Sequence, residues 1–203
     1  MFDEAPPWYY DRALRTPLYR WYHINRIRAV CRTIPMYPNL LVDVGCDGGI
    51  MTKIIAKCSK AGTVLGIDIR EESVEYARKT KHGIEFYAAD ARNLPLRNGI
   101  ADVITMLEVL EHVSNPVEML REAHRVLKPG GLLVVLVPNS ESILFRLVWS
   151  LWTRTFGRVW RDAHNTDFTE ASLRRIVEKV GFRVKSMKKI NLGMLILLSA
   201  VSH

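Results

Sequence analysis

Cysteine is scarce in this chain, and the three present, Cys31, Cys46 and Cys58, include no C-x-x-C pair. An odd number at such spacings indicates neither a disulfide framework nor a structural zinc site, and it fits a reducing compartment. Long apolar runs are lacking as well. The two longest, around 143–152 and 194–201, fall short of the ~20 residues that span a bilayer, and Arg146 interrupts the first. The first seven residues carry acids and prolines where a secretory leader would have a basic start and an apolar core, which reads as a cytoplasmic protein. Repeats, low-complexity tracts and an interdomain linker are absent, so the 203 residues are expected to form one domain with a full hydrophobic core.

Charge is not scarce. The formal net charge is +8, which favours an anionic partner: nucleic acid, an anionic lipid surface or an acidic substrate. The excess lies at the two ends, with Arg12, Arg15, Arg20, Arg26, Arg28 and Arg32 in one cluster and Arg174, Arg175, Lys179, Arg183, Lys185, Lys188 and Lys189 in the other. The centre is closer to neutral.

From residue 40 short apolar runs alternate with amphipathic stretches: 40–44, 50–57, 63–68, 71–79, 84–88, 101–107, 117–127 and 132–137. That alternation predicts a mostly parallel sheet covered by helices. Gly62, Gly83 and the turn Lys128-Pro129-Gly130-Gly131 separate each element from the strand that follows. Thr169 is placed to cap a helix that buries Leu173, Ile176, Val177 and Val180. Two strand-like runs, 182–190 and 194–199, are joined by Asn191-Leu192-Gly193, a connection so short that it permits only antiparallel pairing.

Two segments fall outside the alternation, and all five tryptophans lie in them. Residues 8–34 place Leu14, Leu18, Trp21, Ile24, Ile27, Val30 and Ile34 at helical spacings. Residues 140–160 present a broad apolar face broken by Ser142, Arg146, Ser150 and Arg154. Arg and Trp together on amphipathic helices suit a membrane interface. Packing on the sheet or on another subunit is the plainer use of the same face, and stacking on nucleic-acid bases the least favoured, because basic residues are few in the second segment.

The segment that carries chemistry is Leu41-Val42-Asp43-Val44-Gly45-Cys46-Asp47-Gly48-Gly49, an apolar run ending in a glycine-rich turn, with Asp68 at the end of the next apolar run. Glycines there let backbone amides approach a ligand, and an acid on the neighbouring strand end can hold two ribose hydroxyls. The dinucleotide pattern G-x-G-x-x-G is absent, which weakens a nicotinamide reading.

These residues resemble the class I S-adenosylmethionine-dependent methyltransferase family, in particular its quinone-biosynthesis members, whose first motif runs acid-x-Gly-x-Gly-x-Gly. Asp43, Gly45 and Gly49 match it, and position 47 departs from it with Asp for Gly. The resemblance extends over about residues 40–138 and, more loosely, 164–202. It implies an α/β, Rossmann-like fold: a seven-stranded sheet, mostly parallel with a C-terminal antiparallel hairpin, helices on both faces. It also implies an N-terminal helical arm at 5–35 and a lid insertion at 140–165.

For the site, the resemblance implies S-adenosylmethionine held by Asp43, Gly45, Cys46, Asp47, Gly49, Asp68, Ile69, Asp90, Ala91, Leu107 and Glu108, with a tyrosine hydroxyl, Tyr10, from the arm. Asp68 corresponds to the ribose-binding acid and Asp90 to the acid that receives the adenine amino group. The Asp47 carboxylate is expected near the methionine part of the cofactor, where it would accept from the ammonium or repel the carboxylate. Methyl transfer mainly needs alignment and water exclusion, with a general base only where the acceptor must lose a proton. His112, after the fourth strand, and His164, at the end of the insertion, are the candidate bases. Glu108, Glu111 and His112 form an E-x-x-E-H cluster similar to a divalent-metal site in relatives, but the same letters occur in many relatives without metal, and no metal is expected. The resulting expectation is a methyltransferase for a small hydrophobic or lipid-like acceptor, peripheral to a membrane. The competing one is a non-catalytic module of the same fold that recruits a partner or membrane through its Trp/Arg helices.

Overall fold

In the computed structural model, residues 6–7, 17–154 and 165–203 are described. The elements in chain order are α1 (Pro17–Thr33), β1 (Leu40–Val44), α2 (Ile50–Ser59), β2 (Thr63–Asp68), α3 (Glu71–Thr80), β3 (Glu85–Ala88), β4 (Ala101–Leu107), a single 3-10 turn (Leu110–His112), α4 (Pro116–Val126), β5 (Leu127–Pro138), α5 (Ile143–Arg154), α6 (Glu170–Lys179), β6 (Phe182–Ile190) and β7 (Leu195–Ser202).

The seven strands form one sheet in the order β3-β2-β1-β4-β5-β7-β6. Strands β1 to β5 pair in parallel, while β7 is antiparallel to both β5 and β6. This is the sheet the alternation and the terminal hairpin predict. The inner strands read as continuous apolar runs because helices cover both faces, and β7 is buried along its whole length. Each fully buried Leu or Ile there contributes about 1.5–3 kcal/mol. One large cluster lies on the α4 and α6 side, with Ile104, Leu120, Leu173 and Leu198 at its centre. A second on the α1 and α2 side gathers Val30, Leu41, Ile55, Val103 and Leu197.

Local chemistry sets the element ends. Thr169 accepts from the Ser172 amide at 3.1 Å while Ser172 Oγ accepts from the Thr169 amide at 2.9 Å, a reciprocal cap that starts α6. In α3, Glu71 and Glu72 in the first turn and Arg78 and Lys79 in the last complement the helix dipole. The expected turn at 128–131 is instead an irregularity inside β5: Ala101 pairs with Leu127 and Val103 with Leu132, so four residues bulge out of the ladder.

Two expectations about the arm are corrected. Its buried stripe is His23, Arg26, Val30 and Ile34, whereas Trp21 is 48% exposed. The cysteines also pair: Cys31 near the end of α1 is bonded to Cys58 near the end of α2, Cα atoms 5.9 Å apart. The two helices lie side by side, so residues remote in sequence meet at the ends of adjacent helices. The cysteine pattern therefore no longer argues for a reducing compartment; only Cys46 carries a thiol, and it is buried. Among the described residues no helix is long and apolar enough to cross a membrane.

Candidate functional site: a glycine turn beneath two acids

The C-terminal ends of β1, β2, β3 and β4 lie side by side, and the loops leaving them gather most of the sequence-predicted residues. Gly45 and Gly49 both have φ of +76°, a region that L side chains seldom enter. Neither has room for a methyl group: a Cβ at Gly45 would sit 2.1 Å from Val109 Cγ2, and one at Gly49 2.7 Å from the Phe86 ring. At Gly48 it would meet the Pro7 carbonyl oxygen at 2.1 Å, so Pro7 lies directly against this turn.

Asp43 lies under the turn, 2% exposed, and points into the protein. Its two carboxylate oxygens accept from the Thr105 and Thr52 hydroxyls, each at 2.6 Å, tying β1 to β4 and α2. Burial pushes its pKa up to about 6 against the pull of these two hydrogen bonds. Cys46 also turns inward, packing with Val74, Ala77 and Phe86, where burial raises its thiol pKa.

Asp68 is the acid the turn presents outward. Its Oδ2 accepts from the Asp47 amide at 2.8 Å and its Oδ1 from the Arg70 amide at 2.9 Å, leaving the outer lone pairs for a ligand. Ile69 beside it is 68% exposed, an apolar surface at the mouth of the site. Asp90, beyond β3, is held in a forked ion pair by Arg92, whose Nη2 lies 2.6 Å from Oδ2, and that guanidinium keeps the carboxyl below its ordinary range. Ala91 follows it, half-buried.

Position 47, where Asp departs from the family's glycine, meets the start of α3. With φ of +44°, the Asp47 side chain turns toward the start of α3, where Oδ1 accepts from Ser73 Oγ at 2.8 Å and the Arg70 guanidinium lies 3.7 Å away. Burial raises its pKa, with neighbouring Asp68 adding to the shift. Asp tolerates this backbone region better than most residues, and the helix N-terminus accommodates its charge. Its carboxylate thus braces α3, and its amide fixes Asp68.

On the other side of the site, Leu107 ends β4 and Glu108 follows with φ of +58°. The Glu108 carboxylate pairs with Arg26 of α1, itself 4% exposed. Burial works against ionisation of Glu108, and Arg26 nonetheless brings its pKa below the ordinary value. His23, one helical turn before Arg26, is 4% exposed, and burial lowers its pKa to about 3, so it stands there neutral. Glu111 is 2% exposed, burial drives its pKa well above the ordinary value, and among the described residues its Oε2 has no hydrogen-bond partner. His112 closes the 3-10 turn, and its carbonyl accepts from Asn165 Nδ2 at 2.6 Å. His164 and Tyr10 lie outside the described residues.

Sequence reasoning missed His23 and Arg26, which reach the Glu108 loop from the arm. The available signal was two polar residues, three apart, on the line of Val30 and Ile34. The E-x-x-E-H letters do not assemble a donor set: Glu108 is committed to Arg26, and among the described residues no group of three or more His, Cys, Asp or Glu could hold a metal ion.

Residues 42–135 match the family model described as "Methyltransferase domain". The domain is of the class I S-adenosylmethionine-dependent methyltransferase family. The Ubiquinone biosynthesis O-methyltransferase of Pseudomonas paraeruginosa is 36% identical over 117 residues, which cover 53% of this chain and 49% of that protein. That of Coxiella burnetii is 25% identical over 202 residues, 92% of this chain and 84% of the relative. A chain in the solved complex between the Haloferax volcanii Trm112 methyltransferase activator and the putative methyltransferase superposes with a TM-score of 0.77 at 19% identity, covering 95% of both chains. The chain spans about half the length of most of the curated relatives it matches first.

Proposed function

We propose that this chain transfers the methyl group of S-adenosylmethionine to a small hydrophobic or lipid-like acceptor. The observation that carries the reading is the clamped Asp68, half-exposed at the end of β2 beside the glycine turn, whose two oxygens each accept from a backbone amide and keep lone pairs for a ligand. That pair of acceptor oxygens fits a ribose: rigid and bidentate. Ile69 offers the adenine an apolar face, and Asp90 its amino group an acceptor once Arg92 shares it. Gly45 and Gly49 let the backbone approach, while Asp43 stays beneath as a brace. When bound, the cofactor supplies an electrophilic methyl carbon on sulfonium.

The chain's part is to bind, align and exclude water. Leu107 and Glu108 lie at the end of β4 and line the methyl side, with Arg26 fixing Glu108 from the arm. His112 is the first candidate to take the proton of a hydroxyl acceptor, and His164 the second. The arm at 5–35, with Tyr10, and the insertion at 140–165 form the lid. The relatives named Ubiquinone biosynthesis O-methyltransferase support an oxygen acceptor on a hydrophobic molecule. Peripheral contact with a membrane follows from such an acceptor. The hydrogen bond that the Asp47 carboxylate accepts from Ser73 accommodates its charge and supports the catalytic reading over a non-catalytic module.

Calorimetric titration tests the reading. S-adenosylmethionine is expected to bind the wild type, and Asp68→Ala to bind at least about tenfold more weakly, since each charge-assisted hydrogen bond to a ribose hydroxyl is worth about 1.5 kcal/mol or more. No heat at millimolar cofactor would end the proposal. Methyl-labelled cofactor with a lipid extract then identifies the acceptor class.

A further inference from the structure

The helix that carries Arg26 is held by little apolar surface. Among its described side chains α1 buries His23, Arg26 and Val30, followed by Ile34 just past its end. Half of that stripe is polar, and an ion pair such as that of Arg26 with Glu108 repays its own desolvation poorly. The helix therefore docks less firmly than an all-apolar stripe would make it. A covalent bond adds to the hold. Cys31, in the last turn of α1, is joined to Cys58, in the last turn of α2, 27 residues away in sequence. Nearer the start of α1, Asn191 Nδ2 donates to the Tyr22 carbonyl at 2.9 Å.

Both helices belong to the site. α2 begins directly after Gly49 and so grows out of the glycine turn, while α1 brings Arg26 to Glu108, and Pro7, upstream of α1, lies against Gly48. The bond ties the arm to the helix of the turn. Cys31 and Cys58 are both half-buried, so their sulfurs are not sealed in the core. Neither helix contains an acid, and Arg28, Arg32 and Lys57 are exposed on the turns that flank the bond. Attack and release in thiol exchange both proceed as thiolate, a charge that neighbouring cations stabilise. A disulfide that thiols can reach belongs to the reducible class rather than the sealed structural one.

We infer that the Cys31–Cys58 bond is a redox latch on the arm: closed, it holds α1 to α2 and Arg26 to Glu108; opened by a dithiol, it lets α1 undock and weakens the hold on the cofactor. The inference rests on the proposed reading, in which Glu108 and the glycine turn serve S-adenosylmethionine. In the opening step one thiolate of the dithiol attacks a sulfur of the bond, the S–S bond breaks, and the departing sulfur takes a proton. The second thiol of the dithiol then attacks the mixed disulfide and releases the other cysteine. Two electrons and two protons pass to Cys31 and Cys58, and the dithiol leaves as a disulfide. Local opening of α1 needs no change in the sheet, whose strands pair with one another without it.

Titration of the full chain with S-adenosylmethionine, in oxidised and in reduced dithiothreitol, tests it. Reduction is expected to raise Kd at least about fivefold, reoxidation to restore it, and the double variant Cys31→Ser with Cys58→Ser to match the reduced chain in both buffers. Hydrogen exchange supplies a readout that a lower global stability would not produce: within minutes α1 amides should exchange at least about tenfold faster after reduction, while β4 and β5 stay protected. Because Cys46 also carries a thiol, the ratio of reduced to oxidised Kd should persist in Cys46→Ser, and its disappearance there overturns the assignment. An equal Kd in the two buffers overturns the latch, as do a bond that dithiothreitol leaves intact in the folded chain and α1 amides that exchange alike in both states. If neither state gives cofactor heat, the methyltransferase reading fails and the exchange of α1 alone decides the latch.

Discussion

Removing the Cys31–Cys58 bond is expected to destabilise the chain without changing its fold. The bond joins residues 27 apart in sequence and so encloses all of β1 and the glycine turn. Closing a loop of that length removes about 12 cal/mol/K of entropy from the unfolded chain, or about 3.5 kcal/mol at room temperature. A chain of 203 residues unfolds with an entropy of about 0.4 kcal/mol/K near 60 °C, so the loss converts to a fall in midpoint of about 8 °C. The assay is differential scanning calorimetry of the oxidised chain, the chain in reductant, and the double variant Cys31→Ser with Cys58→Ser. Thiol titration after denaturation gives the chemical control: one thiol, from Cys46, in the oxidised chain and three after reduction. Three thiols before reduction, together with a midpoint indifferent to reductant, would refute both the pairing and the entropy argument. A midpoint that falls on reduction and stays low in the double variant supports both.

Three further outcomes follow from the site. The folded pKa of Asp43 is about 6, above its ordinary 3.8, so the stability it contributes is present below pH ~4 and is lost as pH rises through 6. That loss is roughly 3 kcal/mol, and urea midpoints should show wild type falling relative to Asp43→Asn across that window; a constant difference would count against the buried carboxyl. Arg26→Met should cost about 3–5 kcal/mol by stranding Glu108, while the double variant with Glu108→Leu recovers part of it, as denaturant unfolding will measure; equal losses in the two would show that the ion pair is not the cause. Gly49→Ala, forced against the Phe86 ring at φ of +76°, should lose at least about 2 kcal/mol and weaken cofactor binding in the same titration used for Asp68→Ala; an unchanged Kd would remove the turn from the site.

The sheet was legible because its signals are local. Strand bounds at 40–44, 63–68 and 101–107 coincide with apolar runs, 182–190 follows Gly181 as a mixed apolar and basic run, and the Asn191-Leu192-Gly193 connection forces its own hairpin. Asp43, Asp68 and Asp90 were legible as a set because each ends, or follows, one of those strands. What their letters do not carry is direction. Asp43 and Cys46 face inward and Asp68 outward, a difference made by Thr52 and Thr105 waiting on one side and by the Asp47 and Arg70 amides on the other.

The arm was misread for a related reason. Helical spacing marks an apolar stripe, and on α1 the stripe through Trp21, Ile24 and Ile27 is more apolar than the one through His23 and Arg26. The second stripe is nevertheless the buried one, because burial is decided by what lies across the interface. Glu108 stands half-buried at the end of β4, and a guanidinium from α1 stabilises it there more than a leucine would. Cys31, near the last turn of that helix, then reaches Cys58, which the same docking brings within bonding distance. One helix orientation therefore explains three things the sequence conceals: the ion pair across 82 residues, the disulfide, and the exposure of Trp21. Rotating α1 to bury Trp21 would have stranded Glu108, and a stranded buried carboxylate costs more than an exposed indole.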